Sequence, residues 1–170
     1  MSPFKKKKLD FLTEPPRLLF QQDYYSIAWG LKHQGYYISS EGIKYSYNNP
    51  IKWNFYEKLR IDGTKEMSWG HDKISFIEKG KLLKNLVECE MKYTDNKIET
   101  DSIFSVIDEL IKSDLIETRF GGCDMGLQST SLLIYDDLNN NYKRILLECQ
   151  GDFFLELNSE KKSFIYEKFK

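Results

Sequence analysis

The sequence predicts an α+β fold: a mainly antiparallel sheet with two or three helices packed on one face. Three observations carry this. Gln128 to Tyr135 and Tyr142 to Cys149 are apolar runs joined by a loop of Asp and Asn residues. Tyr36 to Tyr47 holds two short aromatic runs about a glycine-bearing turn. The helix-period stripe at 101–112 stands apart from these strands, without the regular alternation of a doubly wound parallel sheet.

In chain order, residues 1–16 (MSPFKKKKLDFLTEPP) read as a flexible basic tail, and 17–170 as a single domain. Leu18, Leu19 and Phe20 suit a short helix opening, and Tyr25 to Trp29 suits a strand. In the hairpin that follows, Ile43, Tyr45 and Tyr47 alternate with Lys44 and Ser46, which predicts one buried face and one wet face. Residues 53–59 fit strand or helix equally, 61–72 read as a polar loop, and 75–77 stay open. Lys79 to Val87 has helical spacing, and Glu88 to Thr94 alternates as a strand does.

The surest helix runs from Asp101 to Lys112, with Thr100 or Asp101 as its cap and Ile103, Phe104, Ile107, Leu110 and Ile111 as its stripe. Gln128–Tyr135 and Tyr142–Cys149 have apolar residues on both faces, which places them centrally, with Ile145, Leu147 and Cys149 on one face. A last helix starts at Asn158 or Ser159 and turns Phe164, Ile165 and Phe169 inward.

Composition excludes several classes. The chain is 30% charged and has a mean hydropathy of −0.55, with no run near the ~20 apolar residues that span a bilayer, so no membrane partner is expected. A net charge of −1 gives no general pull on nucleic acid. Asp10, Thr13, Glu14, Pro15 and Pro16 break any apolar run behind Lys5–Lys8, so no secretory leader is expected. Three cysteines without CxxC spacing suit reduced thiols in a cytoplasm.

Candidate chemistry is sparse. Cys123 sits beside Asp124 in a glycine-rich loop, and a thiol there becomes a nucleophile if His71 or His33 reaches it, with Asp72 to orient His71. The plainer reading is a small buried residue. Asp137, Asn139, Asn141 and Glu148 match part of a calcium-loop pattern. Tyr142 stands where that loop needs glycine, so the segment reads as a turn and no metal is expected. Nothing in the sequence calls for a cofactor. Glu99, Asp101, Asp108, Glu109 and Asp114 against Lys112 alone give the 101–112 helix an acidic outer face, a surface suited to a basic protein partner.

The order of the Tyr36–Tyr47 hairpin, the Gly-Gly-Cys-Asp loop, the Ser/Thr-led strand ending Tyr135-Asp136 and the return strand closing Gly151-Asp152 resembles small bacterial proteins of the polymorphic-toxin immunity type. The resemblance covers residues 24–47 and 119–153. It implies a non-catalytic inhibitor whose partner is a toxin domain, and it carries over no site residue. The near-neutral net charge departs from the acidic balance that a nuclease toxin would favour. Two other readings are a small hydrolase or transferase using Cys123, and a structural or assembly component of a larger complex.

Overall fold

The computed structural model describes residues 15–28, 30–68, 70–120, 126–151 and 153–169. Among these, eleven strands form one sheet accompanied by three helices, an α+β architecture. The sheet is antiparallel at every named strand pair.

Its centre is a four-strand block. β1 (Leu18–Ser26) lies between β2 (Lys32–Ser39) and β9 (Leu127–Asp136), and β9 pairs with β10 (Asn141–Gln150). β3 (Ile43–Asn48) continues the sheet beyond β2 and is bordered by β7 (Glu90–Tyr93). On the other side, β6 (Ile74–Glu78) follows β10, then β4 (Glu57–Leu59) and β5 (Lys65–Met67). β11 (Phe153–Leu157) and β8 (Leu115–Phe120) branch from the far end of β10.

The two apolar runs are central, as their two-sided apolar character requires. Leu133 and Tyr142 belong to one core cluster, with Leu19, Tyr37 and Tyr45. Leu132 and Ile145 belong to another, with Leu18 and Phe20. Neighbours in a strand point to opposite faces, so these clusters lie on opposite sides of the sheet.

Helices cover both sides, which corrects the expectation of one helical face. α1 (Lys79–Glu88) contributes Leu82 and Leu86 to the first cluster. α2 (Thr100–Lys112) and α3 (Lys161–Lys168) contribute Ile103, Ile107, Leu110 and Ile165 to the second. Apolar residues on both faces of β9 need cover on both.

Other expectations shift for local reasons. Leu18–Phe20 opens no helix but is the start of β1, because its three apolar side chains divide between the two cores. The loop at 61–72 contains β5, and β8 and β11 are strands that the sequence did not announce. Glu99, rather than Thr100 or Asp101, holds the N-cap position of α2, and it makes no side-chain cap bond.

A bulge between Leu146 and Glu148 changes the parity of β10, so Cys149 pairs with Ser129 and shares the Arg144 face instead of the Ile145 face. The 137–140 turn forms as expected: Asp136 accepts from the Leu138 and Asn139 backbone N–H groups, and Asn140 takes φ +52°. Most of the expected tail lies outside the described residues. Pro16 already belongs to the fold, since its carbonyl accepts a bond from the Tyr142 hydroxyl at 2.6 Å.

Candidate functional site

On the α1 side of the sheet, a cleft of about 110 Å³ opens above β1, β2 and β10. Strand parity puts polar groups at its floor. After Leu19, the inward positions of β1 are Gln21 and Asp23, and the inward position after Tyr142 on β10 is Arg144. His33 from β2 and the 53–56 segment close it, with Trp53, Phe55 and Tyr56 on the wall.

That wall has no regular secondary structure, so side-chain bonds must fix it. Asn85, fully buried on α1, does this. Its Oδ1 accepts from the Asn54 backbone N at 2.8 Å and from Asn54 Nδ2 at 3.0 Å, while its Nδ2 donates to the Asn54 carbonyl at 2.8 Å.

The polar floor is one hydrogen-bonded chain. Tyr56 donates to Gln21 Oε1 at 2.6 Å, Gln21 Nε2 donates to the Tyr47 hydroxyl at 3.0 Å, and Tyr47 donates to Asp23 Oδ1 at 2.5 Å. His33 Nε2 meets the same Asp23 oxygen at 2.9 Å. Aromatic rings hold the imidazole. Trp53 meets it edge-on at 5.1 Å, Tyr25 edge-on at 5.4 Å, and Phe55 stacks at 5.9 Å. Burial drives the Tyr47 phenol pKa well above its ordinary value, and the Asp23 charge adds to the rise.

Arg144 stands apart from this chain. It is 1% exposed and lies 5.0 Å from the Tyr56 ring centre. Among the described residues its Nη atoms donate to neutral oxygens: the Gly70 carbonyl at 3.1 Å, Ser129 Oγ at 3.3 Å and Ser75 Oγ at 3.4 Å. Its Nε is buried without an acceptor among the described residues. No carboxylate among the described side chains forms an ion pair with it.

Gly35 lets β1 and β2 close beneath this network. A Cβ there would sit 2.2 Å from the Gln22 carbonyl oxygen and 2.6 Å from the Tyr47 hydroxyl. Gly35→Ala is therefore expected to cost about 2 kcal/mol and to change the near-UV circular dichroism of the aromatic cluster. An unchanged urea midpoint would contradict this close approach.

A larger groove of about 310 Å³ lies over β4, β5, β6 and β10. Its rim mixes charges of both signs, several of them paired: Lys58 with Asp72 at 2.8 Å, and Lys81 with Glu57 at 3.4 Å. It presents no single field to a ligand.

No family model, curated protein or solved structure matches this chain. The site is therefore read from its own geometry.

Of the residues singled out from sequence, Cys123 and Asp124 lie outside the described residues. His71 is exposed and separate from the cleft. The Asp72 oxygens are taken by Lys58 Nζ at 2.8 Å and Ser68 Oγ at 2.9 Å. Burial pushes the Asp72 carboxyl up, but these bonds outweigh it and leave the pKa below its ordinary value. The remaining thiols, Cys89 and Cys149, are buried; Cys89 Sγ donates to the Asn85 carbonyl at 3.3 Å, and burial pushes Cys149 up to about 11. No group of three or more metal-ligating side chains occurs among the described residues.

Glu99, Asp101, Asp108, Glu109 and Asp114 are all exposed. Asp101, Asp108 and Glu109 fall on the side of α2 opposite its buried Ile103, Ile107 and Leu110. None of the five forms an ion pair with a described side chain. The Glu109 carboxylate accepts a 3.2 Å bond from Ser159 Oγ, and its backbone carbonyl accepts from Ser113 Oγ at 2.7 Å. No described helix is long and apolar enough to cross a membrane.

Arg144, Asp23 and Gln21 belong to no motif in the sequence. The available signal was parity: a basic residue in an apolar strand, and two polar residues alternating inward after Leu19.

Proposed function

We propose that this chain is a non-catalytic binding protein that docks a basic protein partner on the outer face of α2. An immunity protein covering a toxin domain is the model for it. The observation that carries this reading is the row of exposed carboxylates with no ion pair to a described side chain.

Helix stability does not account for that row. Asp101 suits the N-terminal turn, but Glu109 and Asp114 sit at the end where the helix dipole disfavours anions. A partner of opposite sign relieves this repulsion, speeds encounter and selects orientation. The resemblance of residues 24–47 and 119–153 to immunity-type proteins supports the same reading. The buried thiols of Cys89 and Cys149 fit a reducing cytoplasm.

The test is affinity capture from the source cell's lysate at low and high salt, followed by kinetics with the captured protein. One stoichiometric partner, released at high salt, is expected. The double variant Asp108→Lys, Glu109→Lys should associate about tenfold more slowly at low salt, with a flatter salt dependence and an unchanged urea midpoint. Equal association rates for the two forms would remove α2 from the interface.

A further inference from the structure

We propose that the cleft over Arg144 is a binding site for a small carboxylate carried on a planar apolar body. The site lies on the α1 side of the sheet, away from the acidic face of α2, so it stands independently of the docking surface above.

The guanidinium sets the first requirement. Arginine keeps its charge at any physiological pH, and a buried charge is costly unless an anion or a full set of acceptors meets it. Arg144 is 1% exposed, its Nη bonds end on neutral oxygens, and its Nε–H has no acceptor among the described residues. Asp23 shares the cleft, but its Oδ1 is occupied by Tyr47 and His33. Among the described residues, no singly charged acceptor meets Arg144.

The walls and volume set the rest of the ligand. Tyr25, Trp53, Phe55, Tyr56, Met67 and Leu127 present flat or apolar surface. The cleft holds about 110 Å³ and is open on one side, and a cavity of ~150 Å³ admits benzene. At about 110 Å³ the cleft is smaller than that, so one aromatic ring or short branched chain seats in it with part of its body in the open mouth, and a nucleotide is too large. Asp23 in the same cleft disfavours a dianion, because like charges repel strongly at short range. One guanidinium balances the single charge of a carboxylate and pairs with it in two prongs, whereas a phosphate brings a charge of about −1.5 to −2 at neutral pH.

Calorimetric titration with benzoate, benzamide and inorganic phosphate tests this on the full chain. Benzoate should saturate one site, with benzamide and phosphate each at least about tenfold weaker. Arg144→Met should abolish benzoate binding. Phe55→Ala, which removes one wall and keeps the charge, should weaken it several-fold while preserving the preference over benzamide. The Asp108→Lys, Glu109→Lys double variant should bind benzoate as the parent does. Equal binding of benzoate and benzamide, phosphate binding as tight as benzoate, or no benzoate binding at tens of millimolar would each overturn the proposal. If Arg144→Met does not fold, the benzoate-to-benzamide ratio in the parent and in Phe55→Ala decides.

Discussion

Above about pH 10 the protein is expected to unfold in one steep transition. Tyr37, Tyr45, Tyr47 and Tyr142 are at most 5% exposed, and burial is the first cause of a raised phenol pKa at each. The folded chain therefore holds these protons past the pH at which the unfolded chain releases them. Their stabilisation is complete below the unfolded value near ~10 and is lost as pH rises beyond it. Each phenol removes ~1.4 kcal/mol per pH unit, so four remove ~5.6 kcal/mol per unit, against a total stability of ~5–15 kcal/mol for an ordinary domain. Tyr56 and Tyr166, also raised by burial, steepen the loss. Cys149 starts it earlier, because its thiol is held up to about 11 from the usual 9.0. Tyrosinate absorbance and far-UV circular dichroism, followed together, should change in a single coincident step. Gradual phenol ionisation with the dichroism intact would show that these hydroxyls reach solvent in the folded chain.

Truncating either of two adjacent leucines should cost about as much as a small domain can lose, but in different places. Leu132 and Leu133 are each 0% exposed in β9 and belong to opposite cores. Replacing either by alanine removes a buried isobutyl group and leaves a cavity, at a cost of ~3–5 kcal/mol in the urea midpoint. Hydrogen exchange separates the two. Leu133→Ala should raise exchange in α1, whose Leu82 and Leu86 share its cluster. Leu132→Ala should raise it in α2 and α3, through Ile103, Leu110 and Ile165. If both variants loosened the same helices, the two-sided arrangement would be refuted.

What the sequence disclosed was local. The 36–47 hairpin, the 137–140 turn and the stripe of α2 each declare themselves within a dozen residues, through period two, period 3.6 or turn chemistry. β1 did not, because its first three residues face both cores and show no period. β8 and β11 did not, because charged residues break their short apolar runs. The helices were placed on one face although the apolar content of both sides of β9 already demanded two covered faces. The acidic side chains of α2 were legible because exposure follows from helical phase. The Arg144 cleft was not. It joins β1, β2, β10 and an irregular segment, and only the pairing of β1 with β9 and of β9 with β10 brings these together.

The position of β1 also sets the order in which the molecule can assemble. Its partner β2 follows it directly, but β9 on its other side comes from the last third of the chain. The hydroxyl of Tyr142 that holds Pro16 acts across 126 residues. During synthesis the Leu18–Phe20 edge waits, apolar and half paired, until β9 and β10 have emerged. Closing so long a loop must precede the contacts that reward it, which puts folding toward the slow end for single domains, ~milliseconds to seconds. Throughout that interval the growing chain has a one-sided sheet and depends on chaperones or dilution to stay apart from its copies.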